Sequence, residues 1–307
     1  MIRNILKGWL CASICTVFGL SSCSDEQVPV LANNQLAVEA YLESSDGTKA
    51  IKNAWINDDK IGLFVKQSSV VTSDDYGEVN GQVVTYFNGT AWNLSPSVSL
   101  SATPAYVFGY YPYVSSVSNG AALPVSVAAQ TDYLYAGAAQ SASSNSPTVA
   151  LSMKHALTML SFNIKKSGYI GAGNLTSVQL RNKTDQSKWA SEGTLNIATG
   201  EISNTAYDPY TLTCNKAILA GGWTSDLPAI MAIPFVTGAV SEVEVEFTVD
   251  GKAYVISLPN SVAFGPGSKY ILSLTITSGS MVIDSGNMTI VPWGADTPVD
   301  LGSVPSL

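Results

Sequence analysis

A chain of 307 residues can fold as one large or two ordinary domains, and 46% hydrophobic against 12% charged residues excludes a disordered polyelectrolyte. The formal charge of −8 repels phosphate backbones, so nucleic acid is excluded as a natural partner. Only two arginines occur, Arg3 and Arg181, which removes the usual means of gripping phosphate or carboxylate with two hydrogen bonds.

The first element is an export signal. Arg3 and Lys7 precede a 13-residue apolar run from Gly8 to Leu20. That run is too short to cross a hydrocarbon core of about 30 Å as a helix but suits the core of a signal peptide. It ends in Leu20-Ser21-Ser22-Cys23, the pattern in which small residues precede a cysteine that is lipidated before cleavage. Residues 1–22 are therefore expected to be a lipoprotein signal peptide, and Cys23 to carry diacylglycerol and a palmitate-type chain. Each buried methylene contributes about 0.8 kcal/mol, so two or three acyl chains anchor a protein stably to a membrane. Losing residues 1–22 leaves 13 basic and 23 acidic residues, a net charge of −10. Cys11 and Cys15 leave with the signal and Cys23 is committed to lipid, so Cys214 has no partner for a disulfide. It is expected to be a small buried hydrophobe. The acidic Ser24-Asp25-Glu26 resembles the signal that sends Bacteroidetes lipoproteins to the outer face of the outer membrane.

Residues 23–34 are polar and without periodicity, as a tether would be. Beyond them period-two alternation recurs, and long helical patterns are scarce. Leu36, Val38, Ala40 and Leu42 share one face of a strand, with Glu39, Tyr41 and Glu43 on the other. Residues 44–53 read as an exposed loop. Lys60 to Lys66 is a compact apolar strand, and Val83 to Phe87 turns at Asn88-Gly89 into a hairpin reaching Trp92. Ala105 to Tyr111 is a further strand. The Ser-rich stretch 141–148 reads as a linker, dividing the chain into domains at 35–148 and 149–307. After it, Leu160, Phe162 and Ile164 alternate with polar residues. Val243 to Val249 turns at Asp250-Gly251 into Ala253 to Leu258, and Tyr270 to Thr277 alternates again. Many short strands punctuated by Gly, Pro and Asn predict an all-β fold of two β-sandwiches in tandem.

Chemistry is sparse along this chain. His155 is the only histidine and has no acidic or cysteine cluster beside it in sequence, which points to a structural or surface role. No nucleophile elbow, phosphate-cradling glycine loop, paired-cysteine or His-Glu-x-x-His motif occurs. Asp58-Asp59 and Asp74-Asp75 read as solvated loop charge, because calcium needs more oxygen ligands at set spacing. No cofactor, metal or enzymatic activity is expected, although carboxylates brought together from distant strands would leave no sequence trace. Trp55, Trp92, Trp189, Trp223 and Tyr110-Tyr111-Pro112-Tyr113 could stack on sugars, and β-sandwich cores use the same residues.

A set of spaced landmarks runs through the chain. These are Trp55 with Asp59-Lys60-Ile61-Gly62-Leu63-Phe64, then Tyr86-Phe87-Asn88-Gly89-Thr90-Ala91-Trp92 and Tyr110-Tyr111-Pro112-Tyr113. Asp132-Tyr133-Leu134-Tyr135-Ala136, His155-Ala156-Leu157, Pro266-Gly267-Ser268-Lys269-Tyr270 and Val291-Pro292-Trp293-Gly294 complete it. Following a lipidation box, this set resembles the fimbrillin family of Bacteroidales, subunits of pili assembled from lipoprotein precursors. The resemblance implies transthyretin-like sandwiches, a surface location in a fimbrium on the outer membrane, and other fimbrial subunits as partners, with host or bacterial surface ligands as candidates for adhesion.

It also implies proteolysis after the first strand, here Gln35 to Glu43, and its replacement by a strand from a neighbouring subunit. The candidate donor is the C-terminal tail, with Val299, Leu301, Val304 and Leu307 as inserting residues. Family members are commonly cut after an arginine in the loop that follows. This chain has Lys49 and Lys52 there instead, so the alternatives are a protease of different preference or an uncut, lipid-tethered anchor or accessory lipoprotein. Capture of surface glycans by exposed tyrosine and tryptophan is the rival binding role.

Overall fold

The computed structural model describes residues 34–43 and 54–293, and at 285–287 the backbone alone. Cys23, Lys49, Lys52, Val299, Leu301, Val304 and Leu307 lie outside the described residues, as do the signal peptide and the tether up to residue 33. The described chain is all-β and contains no helix.

In its first half the strands are β1 Ala37–Leu42, β2 Lys60–Lys66, β3 Gln82–Phe87, β4 Trp92–Ser95 and β5 Ala105–Tyr111. Then come β6 Leu123–Ser126, β7 Leu134–Tyr135, β8 Gln140–Ala142 and β9 Thr148–His155. All but β6 form one sheet in the order β1-β9-β7-β5-β2-β3-β4, with β8 alongside β5. Strand β2 lacks alternation because both its faces are covered. Ile61, Leu63 and Val65 enter one core, while Phe64 enters another on the opposite face. Strand β5 divides in the same way, Val107 to one side and Phe108 and Tyr110 to the other. Gly62 is what lets Tyr110 lie across β2, since a Cβ there would sit 2.2 Å from the Tyr110 ring. The sheet bends until its end strands, β1 and β4, come together around the first core.

The second half supplies β10 Thr158–Lys166, β11 Asn174–Asn182, β12 Glu192–Leu195, β13 Ile202–Ala206, β14 Tyr210–Ala217 and β15 Ile230–Ala232. It continues with β16 Phe235–Val236, β17 Val243–Val249, β18 Lys252–Ser257, β19 Ala263–Phe264, β20 Ser268–Ile276 and β21 Met281–Pro292. Two four-stranded sheets, β15-β10-β20-β21 and β14-β11-β17-β18, face each other. Phe162 of β10 meets Phe247 of β17 edge-to-face, ring centroids 5.0 Å apart, so their inward faces share a core. The β17–β18 turn has Asp250 at φ 50° and Gly251 at φ 77°, the left-handed pair that a two-residue hairpin needs.

One feature differs from the sequence expectation. The Ser-rich stretch is a tight hairpin turn, closed by Ser143 and Ser146 exchanging N–H···O bonds of 3.0 Å, because hydroxyl-rich residues suit turns as well as linkers. Strand β9 then hydrogen-bonds into the first sheet, and the change of sheet comes at Ala156-Leu157, between β9 and β10. The halves also share a sheet, β6-β12-β13, in which Leu123–Ser126 pairs antiparallel with Glu192–Leu195.

Candidate functional site at the edge strand

Strand β1 stands at the end of the first sheet and pairs in parallel with β9, from Ala37↔Thr148 to Leu42↔Met153. The ladder opens with Ala37 N–H donating to Pro147 O and closes with Glu43 N–H donating to Met153 O, each 2.9 Å. Odd-numbered residues thus aim their main-chain groups at β9, and even-numbered ones aim theirs the other way. The even residues also carry the apolar side chains: Leu36, Val38 and Ala40 are buried in the first core, while Glu39 and Tyr41 are exposed. Burying two large aliphatic side chains stabilises the strand's seat by roughly 3–6 kcal/mol before entropic costs.

The outward edge of β1 is held at two places. Near its start, Leu36 N–H donates to Val98 O at 2.8 Å, and Leu100 N–H donates to Asn34 O at 2.6 Å. Further along, the indole N–H of Trp55 donates to the main-chain carbonyl of Ala40 at 2.8 Å. Trp55 is itself set by the sheet. Its ring lies edge-on to Trp92 at 4.9 Å and to Tyr111 at 5.6 Å, and Phe87 packs on Trp92 at 5.3 Å. Asp59 fixes the turn beneath, accepting from Ile56 N–H at 2.7 Å and from the Tyr111 hydroxyl at 3.3 Å. Burial, then the Asp59 carboxylate, pushes the Tyr111 hydroxyl up to about 12.

The two acidic pairs therefore split, against the expectation of solvated loop charge. Asp58 is exposed but Asp59 is buried. Asp74 is exposed, whereas Asp75 accepts from Lys66 Nζ and Gly81 N–H, each at 2.6 Å. Among the described residues no three His, Cys, Asp or Glu side chains gather as a cation site.

A second constellation lies where the first sheet hands over to the next. His155 Nδ1 is 3.0 Å from Asp132 Oδ2, and its ring stacks on Trp293 at 5.0 Å with 5° between planes. Gly267 N–H donates to Leu157 O at 2.9 Å and Trp293 N–H donates to Gly267 O at 2.8 Å. Glu43 at the end of β1 and Trp293 at the end of β21 line one recess here with Tyr135 and His155. Four landmarks spread over the sequence thus meet at one point, and His155 is a buried structural residue. Its acidic neighbour, 23 positions away, was not visible in the sequence.

Of the other aromatics, Trp189 is fully buried, and Trp223 is half-exposed with Lys165 Nζ 4.4 Å over its ring. Cys214 is half-buried, not fully buried as expected, and its thiol donates to Leu175 O at 3.4 Å.

The sequence profile of a family described as fimbrillin-like matches residues 48–293, most of the chain. The chain belongs to the fimbrillin-like family. Fimbrillins are structural and not enzymatic. A candidate fimbrium subunit of Bacteroides uniformis, named Fim1C, is 23% identical over 296 residues, covering 90% of this chain and 92% of that protein. Among solved structures, a candidate cell adhesion protein from Bacteroides uniformis superposes with a TM-score of 0.61 at 20% identity, over 86% of this fimbrillin and 99% of that chain. A fimbrial protein from Bacteroides vulgatus gives 0.52 at 15% identity, over 85% and 100%. These two likenesses are of fold.

Proposed function

We propose that this fimbrillin is a pilus subunit, exported as a lipoprotein through Cys23, cut in the loop 44–53 at Lys49 or Lys52, and polymerised by strand exchange on the cell surface. The observation that carries the reading is the place of β1: at a sheet end, laddered to β9 alone along its length, with its apolar side chains in the core. Removing such a strand uncovers one row of main-chain groups and one apolar slot, which a chain of the same alternation can refill. The match of the family profile to 48–293, after β1 and before the tail, supports a body separable from both.

In this reading 1–22 is the signal peptide, 23–34 the tether, and the tail after Trp293 the donor, with Val299 and Leu301 among its inserting residues. The first domain continues through His155, the end of β9. Other fimbrial subunits are the partners, and the outer membrane holds the precursor. Cleaving the purified protein in 44–53 is expected to yield polymers by electron microscopy and size exclusion. Equal assembly by protein truncated after Trp293 would remove the tail from its role.

A second reading follows from the lysines standing where arginine is the common cleavage residue: an uncut subunit stays on its lipid as an anchor. The N-terminal residue of protein recovered from cells separates the two, acylated Cys23 for the anchor and Ala50 or Asn53 for the polymer subunit.

A further inference from the structure

Within the strand-exchange reading, on which this inference rests, we infer that Trp55 is the anchor point for the incoming strand. The residues that take the places of Leu36, Val38 and Ala40 are Val299, Leu301 and Ser303 of a second copy. Trp55 follows residues 44–53 in the chain, so a cut there releases β1 and leaves the indole behind. Its ring is held by Trp92 and Tyr111, on β4 and β5, and neither contact involves β1. An N–H so placed can meet an incoming carbonyl at little ordering cost. A main-chain acceptor makes the contact indifferent to side-chain identity but strict about phase. Only a residue whose side chain enters the core turns its carbonyl toward Trp55, as Ala40 does. A slip of one residue loses both the indole bond and the apolar face.

Two-residue slips are decided by the prolines of the tail, for a donor running in the direction of β1. With Val299 at position 36, Pro298 falls on position 35, before the ladder begins at Ala37 N–H. Pro305 then falls on position 42, whose N–H by parity faces away from β9. The positions that must donate to β9, namely 37, 39, 41 and 43, receive Asp300, Gly302, Val304 and Ser306, and each has an N–H. Moving Val299 to position 38 would put Pro298 on position 37 and delete the ladder's first bond. Moving it to 34 would seat Leu301 at 36 and Leu307 at 42, but would put the hydroxyl of Ser303 in the buried place of Val38 and Pro305 in that of Ala40. This register keeps a small residue at 40, where Ser303 replaces Ala40. It turns Val304 outward, like Tyr41, and carries Leu307 past the end of the strand.

The test is cross-linking in polymers of the cleaved full-length protein, in a Cys214→Ser background. Cleavage removes Cys11, Cys15 and Cys23 with the strand. Tyr41 pairs with Ser152, so oxidation of the Ser152→Cys, Val304→Cys protein should join neighbouring copies into a ladder on a denaturing gel. The Ser152→Cys, Gly302→Cys and Ser152→Cys, Ser306→Cys proteins should not. Trp55→Phe keeps a ring and removes the donor, and should speed dissociation of copies about three- to tenfold. A ladder from either shifted pair, or an unchanged dissociation rate in Trp55→Phe, overturns the inference while strand exchange stands. Failure of the cleaved protein to polymerise, or polymers that form without the tail, overturns the strand-exchange reading and this inference with it.

Discussion

Two parallel strand pairs lie at opposite extremes of the same fold. Strand β10 runs parallel to β20 inside its sheet, with β15 antiparallel on its other side and Phe162 packed on Phe247 across the sandwich. Strand β1 runs parallel to β9 at a sheet end, held on its outward side by two bonds near its start and by one tryptophan. The first is secured by neighbours on every side, and the second by one ladder, one core face and three outward hydrogen bonds. The chemistry of burial is the same in both, so the difference lies in how many separate things must fail before the strand leaves.

Substitutions can break that contrast. Phe162→Ala should cost the whole molecule about 3–5 kcal/mol in urea unfolding, with cleaved and uncut protein affected alike. Leu36→Ala should cost about 2–4 kcal/mol in the uncut chain and, once the chain is cut within 44–53, appear instead as faster release of the N-terminal piece. If Phe162→Ala released that piece equally fast, the two strands would not differ in kind. Asp132→Ala leaves the buried His155 nitrogen without its partner and should cost about 1–3 kcal/mol, with a change in Trp293 fluorescence marking the loss at the sheet junction.

The smallest effect concerns pH at the far turn of the second sandwich. Asp250 accepts from Gly173 N–H and Asn174 N–H at 2.8 Å and from the Tyr169 hydroxyl at 2.7 Å. These bonds, Gly173 first, hold its carboxyl below the ordinary 3.8. A lowered folded value means that the stabilisation is complete above the ordinary value and fades as pH falls through the lowered one. The protection factors of the Gly173 and Asn174 amides should therefore fall only in that acid window. In Asp250→Asn they should be low at neutral pH too, while protection along β1 stays unchanged.

What could be read in the sequence follows from distance along the chain. The β17–β18 hairpin was legible because alternation and the Asp250-Gly251 turn are local, and β1 because its apolar residues fall on every second position. The partner of β1 was not, since Val38 meets Val149 through pairing that leaves no mark on either segment. The Ser-rich stretch was misread because serine serves a tight turn and a flexible linker equally. Asp59 looked solvated beside Asp58, and only the approach of Tyr111 and the Ile56 amide shows why one of the pair is inside. At the edge site the strand was legible, but Trp55 as its clasp was not, because an indole bonding a carbonyl fifteen residues back follows no period.

The recess shared by Glu43 and Trp293 has a consequence for growth. From Glu43 back to Leu36 a strand covers roughly 23 Å. Six residues at full stretch, from Trp293 to Val299, reach at most about 22 Å. Under the proposed register, a molecule's own tail would leave from the wrong end of its own slot and be too short to double back and enter it in the direction of β1. Strand exchange would then exclude self-capping and pass each free end forward to another molecule, so that the proposed assembly would grow one way as an open, head-to-tail filament.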